Sequence, residues 1–233
     1  MPRVALPDGA FLHAEVRQGE GAPVVLLHGV LDSSRAWALV ADKLHAAGRA
    51  VILLDARGHG ASSPWSEGMD WSPRAESDDV LVALRDLAPE GAHLVGHSRG
   101  ATSASWVAAL EPALARSLAV VASPPQASEA FRAHFRSVQT SGPREREACA
   151  YLATIPDDAF PAEALRRYRG PALVVEPSDD PLYSPVGTMF WRAFLPFADF
   201  ERPPGPHRFH ASEPGASWLA SRLLRFLEAA DGR

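Results

Sequence analysis

Cysteine is nearly absent: Cys149 is the only one in 233 residues, so no disulfide can form within the chain. Nothing in the composition therefore demands an oxidising compartment. Lysine is as scarce, with Lys43 alone and arginine supplying the rest of the 23 basic side chains. Long apolar runs are missing. The longest, such as Pro23 to Leu27, have the length of a strand and fall far short of the ~20 residues that a membrane span needs. The opening residues, Met1 to Gly9, lack the apolar stretch of a signal peptide. With 28 acidic residues and a net charge of -5, the chain carries no basic footprint for nucleic acid. No metal-ligand spacing and no phosphate-binding glycine loop occurs, so neither metal nor cofactor is inferred. The expectation is a soluble, cytoplasmic protein that meets a small molecule, with no nucleic-acid or membrane partner.

What is present has an ordered rhythm. The segment Phe11 to Arg17 alternates and reads as an edge or antiparallel strand. Val24 to Leu27, Ala50 to Leu54, His93 to Val95, Leu118 to Val121 and Ala172 to Val175 are short continuous apolar runs. Such runs suit strands buried on both faces of a parallel sheet. Helical patterns lie between them, over Ser34 to Ala47, Arg74 to Leu87, Arg99 to Leu110, Val186 to Leu195 and Ser217 to Ala229. This alternation predicts an α/β core with a mostly parallel central sheet flanked by helices, over residues 1–126 and 171–233. Residues 127–170 break the rhythm: they are polar, carry both signs of charge and contain no good strand. Two readings stand for this stretch, a solvated helical excursion and a helical cap or lid over a site. Its position between two core strands favours the lid, because insertions at that sheet edge are where ligands bind.

Three loops carry chemistry. Gly96-His97-Ser98-Arg99-Gly100 follows an apolar strand and opens a helix rich in small residues. That is the strand-turn-helix setting in which a serine sits on a strained turn with its hydroxyl exposed, so Ser98 is the candidate nucleophile. The helix start aims free N–H groups at developing negative charge. His28-Gly29-Val30 follows the strand ending at Leu27, and its glycine lets the next N–H face the pocket. The backbone amides of Val30 and Arg99 are the candidate oxyanion donors, each worth roughly 3 kcal/mol. His28 precedes the serine and is read as a structural histidine that hydrogen-bonds this loop. Asp55-Ala56-Arg57-Gly58-His59-Gly60-Ala61-Ser62 follows the next strand.

This ordered set, with the opening Asp8-Gly9 segment, resembles the α/β-hydrolase superfamily over nearly the whole chain and least over 127–170. The resemblance implies an α/β-hydrolase fold and a small esterase-like or lactonase-like enzyme. The Asp55–Arg57 loop is then mostly architectural, and His59 has no chemistry. A serine hydroxyl needs an imidazole to take its proton and an acid to hold that imidazole. In this fold the acid and then the histidine follow the serine in the chain. The segment Glu176 to Pro181 resembles the family's acid turn. With Pro185 as its closing proline and Pro177 in place of the usual glycine, Asp180 becomes the acid and Asp179 the alternative. Pro206-His207 through Glu213-Pro214 resembles the family's histidine segment, which makes His207 the base and His210 a second, non-catalytic histidine.

The implied reaction is hydrolysis of a carboxylic ester, lactone or thioester through an acyl-enzyme. The alternatives are a C–C bond hydrolase, lyase or cyclase on the same triad, and a ligand-binding receptor of the same fold. The serine argues against epoxide or haloalkane hydrolysis, for which relatives use an aspartate. The Arg99 side chain either packs away from the pocket or recognises a substrate carboxylate. Trp65 and Trp71 are candidates to line an acyl pocket, whereas Trp37, Trp106, Trp191 and Trp218 lie on helical patterns and read as core.

Overall fold

A computed structural model describes residues 2–182 and 185–232; Met1, Tyr183, Ser184 and Arg233 lie outside the described residues. In chain order the elements are β1 (Arg3–Ala5), β2 (Phe11–Arg17), β3 (Glu20–Leu27), α1 (Ala38–Ala46), β4 (Arg49–Leu54), α2 (Pro73–Leu87), β5 (Ala92–His97) and α3 (Arg99–Leu110). They continue with β6 (Ala115–Val121), α4 (Glu129–Ser137), α5 (Pro143–Ala153), the short α6 (Ala162–Leu165), β7 (Ala172–Val175), α7 (Pro185–Phe194), β8 (Asp199–Glu201) and α8 (Gly215–Asp231). All eight strands form one sheet in the order β1-β2-β4-β3-β5-β6-β7-β8. The pairs β1–β2 and β2–β4 are antiparallel and every other pair is parallel.

The continuous apolar strands are explained by what covers them. Val25, Leu27, Ile52, Leu54, Leu94, Leu118, Val120 and Val174 point to one face, where they pack on α2 and α3. Their neighbours Val24, Leu26, Val51, Leu53, Val95, Ala119, Leu173 and Val175 point to the other, against α1 and α8. Each fully buried leucine on either face contributes about 1.5–3 kcal/mol relative to an exposed one. Helix starts are set locally. Ser72 caps α2 by accepting from the Ala75 amide at 3.1 Å, with Pro73 in the first turn, and Ser128 caps α4 through the Phe131 amide at 3.1 Å.

The expected strands and helices are present, and the differences lie at the margins. β1 and β8 are three residues each, too short for alternation to register. The first helical stretch opens with a 3-10 turn, Ser34–Trp37, before α1 begins. Among the described residues, no helix is long and apolar enough to cross a membrane.

Parallel strands share a direction, so β3, β5, β6 and β7 deliver their following loops to one edge of the sheet. Residues 28–32, 98, 122–124 and 176–180 therefore meet there, at the edge where open α/β sheets bind ligands.

Candidate active site

The loop at Ser98 is backbone-driven. Ser98 has φ 52° and ψ −124°, a left-handed conformation costly for a side-chain-bearing residue, and its amide donates to the Val121 carbonyl at 2.9 Å. The turn is tight enough to require two glycines. A Cβ on Gly96 would lie 2.4 Å from the Ala101 Cα, and one on Gly100 would lie 2.5 Å from the His28 carbonyl oxygen. Leu31 (φ 59°) and Ala122 (φ 50°) are the other non-glycine residues with positive φ among those described. All three follow the ends of β3, β5 and β6, so backbone strain is concentrated at this edge.

The loop after β3 is pinned by two histidines. His28 donates through Nδ1 to the Gly29 carbonyl at 2.7 Å, and its Nε2 accepts from the Ala56 amide at 3.0 Å. His59 donates through Nδ1 to the Arg57 carbonyl at 2.9 Å, and its Nε2 accepts from the Leu31 amide at 3.0 Å. His59 thus holds the loop that carries Val30, a role its sequence context did not suggest. Both bond sets require neutral imidazoles. Burial is the main force that lowers both pKa values, and it takes His59 to about 3, with smaller contributions from its neighbours His28 and Arg99. Gly29 sits against Ser98: a Cβ there would lie 3.3 Å from the Ser98 Cβ.

Asp180 and His207 meet although 27 residues separate them. The His207 Nδ1 and Asp180 Oδ2 atoms are 2.7 Å apart, and the other carboxylate oxygen accepts from the Leu182 amide at 2.9 Å. Asp180 is buried, which strengthens a charge-assisted bond of this kind. Asp179 turns elsewhere, to the Ser178 hydroxyl at 2.9 Å and the Gly205 amide at 3.1 Å. His210 is buried between Trp37 and His97, with ring centroids 4.4 Å and 4.2 Å away. Burial, then Arg208 and His207, push its pKa down to about 3.

Ser98 opens into a narrow apolar cavity with a free volume of about 20 Å³. Val30, Arg99 and Thr102 line it, together with Phe131, Phe135, Leu152, Ile155 and Phe160. These last five belong to a small core of their own, with Ala127 and Ala159. Trp65 and Trp71, the expected acyl-pocket aromatics, are not among the residues lining this cavity. Trp71 is instead buried and donates to Glu147 of α5 at 3.1 Å, and Arg144 donates to the Gly58 carbonyl at 2.8 Å, so both bonds join 127–170 to the core. Trp106 adds a third at the Ala159 carbonyl, 2.8 Å away. Further along, Leu165 and Tyr168 are buried in the core beneath the sheet.

The Arg99 guanidinium is already partnered. It pairs with Glu76 of α2 at 2.5 Å and donates through Nε to the Trp71 carbonyl at 3.2 Å, with both charged side chains buried. Glu76 escaped sequence reading because the contact spans two helices and leaves no periodic trace. A larger cavity of about 320 Å³ lies beyond this pair, lined by Asp8, Arg57, Asp70 and Asp79 among others. Ser98, Asp180 and His207 are all absent from its lining.

The sequence model of the alpha/beta hydrolase fold family matches residues 22–209, and the chain belongs to that family. It is 32% identical over 209 residues to the sn-1-specific diacylglycerol lipase ABHD11 of Xenopus tropicalis, covering 81% of this chain and 62% of that one. It is 35% identical over 128 residues to the esterase Rv0045c of Mycobacterium tuberculosis, covering 54% of this chain and 41% of the relative. The chain thus spans less than two thirds of either relative. Among solved structures, the enol-lactonase from Burkholderia xenovorans LB400 superposes with a TM-score of 0.80 over 97% of this chain and 100% of that one. At 18% identity, that likeness is one of fold.

Two outcomes are expected from this electrostatic arrangement. Glu76→Gln should cost about 3–5 kcal/mol in urea unfolding, because it strands a buried guanidinium; a cost below 1 kcal/mol would contradict the pairing. Histidines buried neutral, with pKa values below the ordinary value of about 6.5, stabilise the fold fully above that pH. The stabilisation is lost as pH falls toward about 3 for His59 and His210. The melting temperature should therefore drop between pH 7 and pH 5, with a shallower slope in His210→Phe. An unchanged slope would contradict the assignment.

Proposed function

We propose that this chain is a serine hydrolase that cleaves a small-molecule carboxylic ester, lactone or thioester through an acyl-enzyme. The observation that carries the reading is the 2.7 Å His207–Asp180 pair at the sheet edge that also bears Ser98 on its strained turn. A histidine that donates Nδ1–H to a carboxylate presents its Nε2 lone pair at the far end of the ring, as a general base must. Ser98 Oγ attacks the carbonyl carbon and His207 Nε2 takes its proton. The amides of Val30 and Arg99 hold the oxyanion of the tetrahedral intermediate. Its collapse expels the alcohol or thiol, which takes the proton from His207. Water then attacks the acyl-enzyme by the same route, and Ser98 is regenerated. Asp180 fixes the tautomer throughout and stabilises the imidazolium.

Residues 127–170 act in this reading as a cap whose apolar side covers the acyl group. The cavity at Ser98 is narrow, which supports a short acyl chain such as acetyl. Glu76 already neutralises Arg99, which supports an uncharged acyl group over a carboxylate-bearing one. No metal or cofactor enters the scheme.

The test is hydrolysis of p-nitrophenyl esters. Wild type should turn over the acetate, while Ser98→Ala and His207→Ala should each lose at least about a thousandfold in kcat. His210→Phe should lose less than tenfold, and Phe135→Ala should shift preference from acetate toward hexanoate. Full activity in Ser98→Ala would sink the assignment. Tight binding of a ligand without turnover would favour a receptor instead.

A further inference from the structure

His97 stands one residue before the nucleophile, and the scheme above gives it no task. Its backbone is fixed at the end of β5, in register with Val121 of β6. Its side chain is buried, and its Nε2 lies 2.9 Å from the main-chain carbonyl oxygen of His207. A carbonyl can only accept, so Nε2 carries the proton and donates. The Nδ1 edge of the same ring faces the loop after β3, where a Cβ on Gly29 would lie 2.9 Å from it. One imidazole therefore touches the parts of the chain that carry the nucleophile, the base and one oxyanion donor.

The way the base is held makes that contact consequential. The loop before His207 contains Pro203, Pro204 and Pro206, which have no amide hydrogens to donate. Its bonds run to the acid's loop: Ser178 N to Pro203 O at 2.9 Å, Asp179 N to Gly205 O at 3.1 Å, and Gly205 N to Asp179 Oδ2 at 3.1 Å. Acid and base are thus carried as one body. His97 donates a part-buried bond from the strand that bears Ser98 to that body. The Arg208–Asp32 ion pair, at 2.7 Å, also bridges toward the loop after β3, but Arg208 is more than half exposed, and such pairs are worth little.

We infer that His97 is a positioning residue, whose Nε2–H clamps the main chain of His207 and sets the distance between base and nucleophile. The inference rests on the hydrolase reading. Burial, followed by His210 and His207, keeps the His97 ring neutral, so it sits beside His207 without adding a competing positive charge. A misplacement of about 1 Å at a reacting centre can cost on the order of a hundredfold in rate, so one bond of this kind suffices to matter.

The test compares His97→Gln with His97→Met. Glutamine ends in an N–H at the bond count of Nε2, whereas methionine fills a similar volume without a donor. On a p-nitrophenyl ester, His97→Met should lose about tenfold to a hundredfold in kcat with KM within about twofold of wild type. His97→Gln should recover kcat to within about fivefold of wild type. If methionine fails to fold, His97→Asn replaces it, because its amide reaches only the Nδ1 position. Equal losses in folded Gln and donor-less variants would overturn the inference, since packing rather than the bond would then matter. So would a donor-less variant with wild-type kcat. Turnover that survives Ser98→Ala contradicts the hydrolase reading and removes the role with it. Ser98-dependent turnover that ignores His97 removes the role alone.

Discussion

The close approach of backbone to backbone at the end of β5 governs much of this molecule. Gly96 lies against the start of α3, and Gly100 lies against the carbonyl groups that end β3. No side chain fits in either place, so strand, turn and helix can meet only with glycines at both. The geometry forces Ser98 to φ 52°, a conformation that costs on the order of 1–3 kcal/mol and persists only because the sheet around it is rigid. That rigidity comes from strands buried on both faces, and it also explains why the neighbouring loops at Leu31 and Ala122 can hold similar strain.

Charge is handled at this edge by burial and by pairing. His28, His59, His97 and His210 are all buried, and burial is the leading cause that lowers each of their pKa values. Neutral rings can accept at one nitrogen and donate at the other, which is how His28 and His59 tie down the loop that carries Val30. The buried Arg99 guanidinium is paired with Glu76 from α2, so neither group is left alone in the interior.

Much of this was legible in the residues. The two-sided apolar runs of β3 to β7 announced a parallel sheet, and Gly96 to Gly100 announced the turn. The resemblance of two loops to the family's acid and histidine segments pointed to Asp180 and His207, whose side chains lie 2.7 Å apart, whereas Asp179 turns to Ser178 and Gly205. Contacts that join distant elements left no trace in the sequence. Glu76 finds Arg99 across two helices, and His97 finds a main-chain atom 110 residues away. Trp65 and Trp71 do not line the cavity at Ser98, because aromatic residues near a motif need not face it. A usable signal existed in residues 127–170, where Phe131 and Phe135 stand four apart on α4 and so share one helix face.

The central claim is that Ser98 is a nucleophile activated by its surroundings, and covalent capture tests it most directly. Intact mass spectrometry after incubation with a fluorophosphonate should show one phosphonyl adduct per chain, mapped by peptide digestion to Ser98. The adduct should vanish in Ser98→Ala and form far more slowly in His207→Ala. A chain that stays unmodified, or one labelled elsewhere at the same rate, would contradict the account.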